Sequence, residues 1–187
     1  MRNLSIFITM LVCGAAWAQT PDKKPAEKKP DEMAKPAAEK PPGPAPELKK
    51  EYESMIGSWK CAGKGTMMGK EMTSTGTYKA AWDLDGNVVV AHFEAKAAGM
   101  PGAHKGMDVY SYDPSSKMFV SIGFDNMGGS SQAKSKGMQG DSEEWTGTGT
   151  MMGKQMDLKW TVTTKGAKEV TIKGTMGTDT FEETCKK

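Results

Sequence analysis

One ten-residue pattern occurs twice in this chain, and a shortened copy follows near the C-terminus. The copies are GKGTMMGKEM at 63–72, GTGTMMGKQM at 147–156 and GTMGTDTF at 174–181. A glycine that can take the positive φ of a tight hairpin separates the two halves of each copy, at Gly69, Gly153 and Gly177. A chain that repeats hairpins in this way is predicted to form an antiparallel meander.

Turn residues such as Asp85-Gly86 and Gly128-Gly129 divide the rest of the globular part into short strands. Apolar residues alternate with polar ones along these segments, as on half-buried strands. We predict ten strands, over 58–68, 70–82, 87–95, 105–112, 117–125, 130–138, 141–151, 154–164, 168–176 and 178–185. Because closure removes exposed strand edges, an antiparallel up-and-down β-barrel is expected.

The segment PELKKEYESMIGSW precedes the first strand and has helical rather than strand periodicity. Pro46 suits the first turn of a helix. Apolar residues follow it at helical spacing, namely Leu48, Tyr52, Met55 and Ile56. One short N-terminal helix is therefore expected beside the barrel.

The N-terminus has the features of a secretory signal peptide, with Arg2 before an apolar run and Ala18 at the cleavage site. That run is too short for a permanent membrane span. Residues 19–46 are rich in Pro, Ala, Lys and Glu and have little to bury, so we expect a disordered tether. The barrel domain would span 47–187, and the mature protein would be periplasmic or secreted.

Basic residues after Arg2 are all lysines, and in the globular part they are nearly balanced by Asp and Glu. Nucleic-acid recognition relies on a net positive field and commonly on arginine forks. Nucleic-acid binding is therefore not expected.

Catalytic and metal-binding patterns are missing from the sequence. His92 falls on the more polar face of its strand, and His104 falls in a glycine-rich loop, so neither has the spacing of a zinc ligand set. The last strands hold no histidine that could serve as a haem ligand, and no Gly-x-Ser-x-Gly elbow occurs. We expect neither an enzyme nor a bound cofactor or metal.

Two weaker metal hypotheses compete with structural roles for the same residues. Methionines recur in both full repeats, and thioethers are soft ligands that favour Cu(I), although side chains of adjacent strand residues point to opposite faces. Asp113, Asp125 and Asn126 could supply oxygen ligands for calcium. Aspartates in turns ordinarily accept hydrogen bonds from backbone N–H groups, which is the role we expect here.

The mature chain keeps two cysteines, Cys61 near the start of the first strand and Cys185 near the end of the last. In a closed up-and-down barrel these strands are antiparallel neighbours, which places the two positions opposite each other. Disulfides persist in oxidising compartments. We therefore predict a Cys61–Cys185 disulfide.

Two groups of residues resemble known families. Gly57-Ser58-Trp59 resembles the G-x-W entry motif of lipocalins and related calycin barrels. The central block resembles, in order and spacing, the secreted bacterial family called domain of unknown function 1579; its residues are Gly99-Met100-Pro101-Gly102, Lys105-Gly106, Tyr112-Asp113, Phe119-Val120-Ser121 and Phe124-Asp125-Asn126-Met127-Gly128. This resemblance implies a lipocalin-like ten-stranded barrel without an established activity.

The chain departs from that family in two places. Phe124 stands where members often have Trp, and the last strand is followed by Lys186 and Lys187 rather than an arginine. A Trp–Arg contact at the base of the barrel is therefore not expected.

These observations predict a binding module for a small apolar or amphipathic ligand. The ligand-contacting residues would be those of the apolar strand faces, namely Val89, Ala91, Phe93, Val170 and Ile172. The alternative is a structural or interaction protein whose barrel is filled by its own side chains. An internal cavity of several hundred cubic ångströms separates the two readings.

Overall fold

The computed structural model describes residues 43–187, so the predicted signal peptide and most of the predicted tether lie outside it. One helix precedes ten strands: α1 (Pro46–Tyr52), β1 (Gly57–Met67), β2 (Lys70–Asp83), β3 (Val88–Ala97), β4 (His104–Asp113), β5 (Met118–Asp125), β6 (Ser130–Ser135), β7 (Ser142–Met151), β8 (Lys154–Thr164), β9 (Glu169–Met176) and β10 (Asp179–Lys186). Each strand pairs antiparallel with the next, and β10 pairs with β1. The predicted closed ten-stranded barrel is confirmed.

The repeated segments form equivalent hairpins at one end of the barrel. Met68 and Gly69 connect β1 to β2, and both have positive φ, as in type I′ turns. Met152 and Gly153 connect β7 to β8 in the same way. A non-glycine residue in this conformation costs roughly 1 kcal/mol or more, so both turns hold a methionine in a strained position.

Inward-facing glycines let the strands curve tightly. A Cβ on Gly147 of β7 would collide with the backbone oxygen of Gln132 on β6. On β4, the ring of Phe93 from β3 covers Gly106, which leaves no space for a side chain there. Glycine at such positions permits the bending that closure requires.

Helix α1 closes one end of the barrel, which we call the base. Its Leu48 and Tyr52 are buried against the inner ends of several strands. The remaining residues of this packed cluster are Ala80, Val89, Ala91, Phe119, Ala133 and Trp145. Apolar burial of one helical face therefore holds α1 across the barrel end.

A second cluster joins the first and last strands. Cys61 of β1 and Cys185 of β10 are register partners and form the predicted disulfide, packed against Trp59 and Val170. Lys187 makes two contacts here that the sequence did not predict. Its Nζ lies 4.7 Å from the centre of the Trp59 ring and donates a hydrogen bond to the Ser54 carbonyl. A lysine thus makes a cation–π contact at the barrel base, where no arginine is available.

The largest boundary difference is at β6, which ends at Ser135 rather than at residue 138. Gly137 has a φ of 83°, and its N–H donates to Ser135 Oγ. The next N–H, of Met138, donates to Glu51 Oε1 beside the helix. The chain leaves the sheet because these donors are satisfied by side chains instead of a strand. Within residues 43–187, no helix is long and apolar enough to cross a membrane.

Candidate functional site

The barrel encloses a cavity of about 870 Å³. Its lining extends from residues beside α1 to the hairpin loops at the opposite end, which we call the mouth. Inward side chains of the strands form its wall, as expected from the period-two alternation.

The five predicted ligand-contacting residues separate into two groups. Phe93, Val170 and Ile172 line the cavity. Val89 and Ala91 also face inward, but they are 1% and 0% exposed and belong to the packed base beneath α1. The strand pattern identified the inner face correctly, whereas the position of the helix decides which inner residues border open space.

Aromatic side chains form the middle of the cavity wall. Trp145 and Trp160 stack, with ring centroids 5.6 Å apart and planes 8° apart. Next to them, the hydroxyls of Tyr78 and Tyr110 are hydrogen-bonded at 3.2 Å. Tyr110 meets Trp145 edge-on at 5.9 Å, so these rings make one continuous surface.

Two carboxyl groups, those of Asp108 and Glu183, line the same cavity, and neither was predicted from the sequence as a site residue. Burial raises the pKa of Asp108 to about 6, and burial also raises the pKa of Glu183. The sequence does contain a signal for Asp108. It lies two residues from Gly106 and from Tyr110 along β4, and side chains at this spacing point to the same face, here the inward one. A charged residue on an otherwise apolar inward face is a marker of a functional site.

A third carboxyl, that of Glu143, lies closer to α1. Burial raises its pKa to about 7, and the nearby Glu51 carboxyl adds to this rise. Within the described residues, Glu143 Oε1 and the hydroxyl of Tyr52 are buried without a hydrogen-bond partner. Buried polar atoms are normally paired, so this pair has unused hydrogen-bonding capacity beside the cavity.

His104 lies at the mouth and not in the loop where the sequence placed it. It is the first residue of β4, packs edge-on against Phe93 and has its Nε2 3.3 Å from Asp125 Oδ2. Burial raises the pKa of Asp125, but backbone hydrogen bonds from Gly129 and Met127, together with His104, outweigh burial and leave this pKa below its usual value. His92 is exposed, as predicted.

The segment 124–128, which belongs to the motif resembling domain of unknown function 1579, forms part of the mouth. Asn126 accepts a hydrogen bond from the Lys105 N–H and donates one to the Ala103 carbonyl, which ties the β5–β6 turn to the β3–β4 loop. Asp125 accepts from the N–H groups of Met127 and Gly129, and Gly128 has a φ of 81°. These contacts are the turn role expected of such residues.

The other residues of the two family motifs take part in packing and hydrogen bonding or lie on the barrel surface. Gly57 begins β1, and Trp59 donates from Nε1 to the Met55 carbonyl. Tyr112 packs against Phe119 at the base, with centroids 5.1 Å apart. Phe124, by contrast, is exposed on the outside of the barrel.

Asp113 also has the expected turn role. It accepts hydrogen bonds from the hydroxyls of Ser115 and Ser116, which lower its pKa to about 2. One group of three possible metal-ligating residues occurs within residues 43–187, formed by Cys61, Glu183 and Cys185. Its two sulfur atoms are bonded to each other, so they are not thiolate ligands.

Methionines surround the mouth. Those that border the cavity here are Met67, Met72, Met100, Met127, Met151 and Met176. Met68 and Met152, at the tips of the repeated hairpins, are instead 75% and 73% exposed. The two adjacent methionines of each repeat therefore have different environments, as the strand alternation predicted.

A closed ten-stranded antiparallel barrel with an internal cavity and a short helix defines a lipocalin-like barrel. The chain is similar to the solved structure of Rv2717c from M. tuberculosis, with 12% identity and a TM-score of 0.59 over 77% of this chain and 98% of that one. At this identity the likeness concerns the fold alone.

Two further structures are more distant. A redesigned β-barrel, mFAP0, bound to DFHBI has 8% identity and a TM-score of 0.45, over 72% of this chain and 99% of that one. The S-type phycobiliprotein lyase CPES from Guillardia theta has 8% identity and a TM-score of 0.39, over 75% and 92%. No protein-family model matches the chain, and no curated protein matches it either. The resemblance to domain of unknown function 1579 therefore stays a prediction.

Proposed function

We propose that this protein is a non-catalytic binding module that holds a small apolar or amphipathic ligand inside its barrel. The cavity of about 870 Å³ carries this proposal. Ligand sites commonly measure 300–1,000 Å³ and have mainly apolar walls with a few polar groups. The stacked tryptophans, the mouth methionines and the isolated carboxyls fit that description.

We also propose a periplasmic or secreted location. The N-terminal signal features support it, and so does the disulfide between Cys61 and Cys185, because such bonds persist in oxidising compartments. The cavity counts against the alternative of a structural protein with a packed barrel.

Binding of a neutral fluorescent probe, N-phenylnaphthylamine, tests the proposal. We expect micromolar affinity, about −8 kcal/mol. Because Ala91 lies in the packed base, a cavity-filling substitution is better placed at Ala95, which borders the cavity on the same strand. Ala95→Trp should abolish binding, whereas Lys96→Trp, which adds the same side chain to the exposed face of β3, should leave it unchanged.

Absence of probe binding to correctly folded wild-type protein would favour the packed-barrel alternative. Native mass spectrometry of protein purified from its own cell envelope gives an independent readout. A retained small molecule that is lost in Ala95→Trp but kept in Lys96→Trp would support the binding proposal.

A further inference from the structure

Charged groups are divided unequally between the two faces of the barrel. Every lysine within residues 43–187 is exposed, and this part of the chain contains no arginine. Lys50 and Lys64 border the cavity but are themselves exposed. Three carboxyl groups, in contrast, face inward, those of Asp108, Glu183 and Glu143. The interior therefore carries acidic groups, while the lysines of the described chain face solvent.

Asp108 shows how the barrel accommodates such a group. Burial alone raises its pKa, with no contribution from a hydrogen bond or a neighbouring charge among the described residues. A Cβ on Gly123 of β5 would lie 2.5 Å from both Asp108 Oδ1 and Ser131 Oγ, so a glycine there leaves the space that the carboxylate occupies. With a pKa of about 6, this group is mostly ionised at neutral pH and has no counter-ion among the described residues.

Unpaired polar atoms continue from this carboxylate towards the base. Tyr52 is 4% exposed and Glu143 is 5% exposed, and the Tyr52 hydroxyl and Glu143 Oε1 have no partner within the described chain. The Tyr52 ring lies 5.1 Å from that of Tyr110, whose hydroxyl contacts Tyr78. These acceptors can be satisfied by a bound molecule that donates hydrogen bonds.

The surrounding aromatic faces favour the same kind of partner. A cation near the face of a tryptophan or tyrosine is attracted by the ring quadrupole, and more strongly when water is excluded. The Trp145–Trp160 pair and the Tyr78–Tyr110 pair both border the cavity. Carboxylates next to aromatic walls make a site for an organic ammonium group.

Building on the proposed function, we infer that the ligand is an amphipathic organic cation whose ammonium group binds at the inward carboxyl groups that line the cavity. Its apolar part extends towards the methionines of the mouth. The ammonium group supplies the missing positive charge, and the aromatic rings contact its alkyl substituents. A neutral ligand would leave the carboxylates unbalanced, and an anionic ligand would be repelled.

Three matched probes test this inference in competition with N-phenylnaphthylamine on the mature protein. The first is the cation phenylhexyltrimethylammonium. The second is its neutral isostere, in which a tert-butyl group replaces the trimethylammonium group. The third is the anion phenylheptanoate. We expect the cation to bind at least about ten-fold more tightly than the neutral isostere at neutral pH. Phenylhexylammonium, which keeps the charge and adds N–H donors, shows whether hydrogen bonds strengthen binding further.

The variant Asp108→Asn keeps the shape of the side chain and removes its charge. It should reduce the preference for the cation to below about three-fold without weakening binding of the neutral isostere. The matched control is Asp157→Asn, on the exposed face of β8, which should leave all affinities unchanged. If Asp108→Asn does not fold, Glu183→Gln replaces it with the same expected outcome.

Equal binding of the cation and the neutral isostere to wild type would overturn the inference and leave the binding proposal intact. Tighter binding of the anion would also overturn it. Failure of every probe, including N-phenylnaphthylamine, would instead refute the proposed function itself.

Discussion

The base and the mouth of the barrel are built differently. At the base, α1 packs Leu48 and Tyr52 into a continuous buried cluster, and the disulfide fastens β1 to β10 nearby. At the mouth, the repeated hairpins present exposed methionines in strained turns. Because stability comes mainly from buried apolar contacts, the base should hold the fold together while the mouth can vary or open.

The interior between the two ends adds a second difference. The base buries mainly apolar side chains, whereas the cavity above it is also lined by inward carboxyl groups, those of Asp108 and Glu183. Unpaired buried carboxyls reduce stability, so their presence in the cavity is consistent with a function that needs them.

The largest expected effect comes from the disulfide. Replacing both Cys61 and Cys185 with alanine removes a crosslink over 124 residues. We expect a loss of about 2–5 kcal/mol in the free energy of unfolding, measured by urea denaturation. Thiol titration of the denatured, unreduced wild-type protein should detect no free thiol. Two reactive thiols in wild type, or an unchanged denaturation midpoint in the double variant, would contradict this prediction.

A matched pair of alanine variants compares the two ends directly. Leu48→Ala should cost about 3 kcal/mol because it leaves a cavity in the packed base. Met152→Ala should change the free energy of unfolding by less than about 0.5 kcal/mol because its side chain is exposed. Equal losses in urea denaturation would show that the mouth contributes as much to stability as the base.

The inward carboxyls should make the unliganded protein more stable in mild acid. Burial raises the pKa of Asp108 from 3.8 to about 6 and that of Glu143 from 4.5 to about 7. Folding therefore favours the protonated forms, and their stabilisation is complete below the unfolded pKa values and lost as the pH rises through about 6 and 7. Between about pH 5 and pH 7.5, the two shifts together predict a loss of about 3–4 kcal/mol, measured by urea denaturation.

The variant Asp108→Asn isolates one part of this pH dependence. It should raise the free energy of unfolding at about pH 7.5 and flatten its change with pH, whereas the exposed Asp157→Asn should do neither. A wild-type protein that is instead more stable at pH 7.5 than at pH 5 would contradict this prediction, because carboxyls with lowered pKa values, such as Asp113, are already ionised in both states at pH 5.

The smallest expected effect concerns copper. Replacing Met68 and Met152 with leucine keeps their volume and removes only the thioethers. Because both side chains project from hairpin tips into solvent, we expect no change in Cu(I) affinity, measured by competition with a chromogenic chelator. An affinity that falls in this double variant would support the copper hypothesis, and the mouth would then be a metal site.

The sequence by itself determined the architecture of this barrel. Glycines in the three repeats and aspartates in the other turns fixed where strands end, because positive φ and local side-chain hydrogen bonds act within a few residues. Period-two alternation identified the inner face of β3 and β9, and the order of the strands implied the pairing of Cys61 with Cys185. Local chemistry and chain order were sufficient for these features.

The tertiary structure alone decided which inner residues surround open space. Val89 and Phe93 share one face of β3, yet α1 packs over the first and leaves the second bordering the cavity. Likewise, Asp108, Glu183, Trp145 and Trp160 line one cavity only after the barrel closes. Such contacts join residues far apart in the chain, and no local pattern specifies the volume that remains between their side chains.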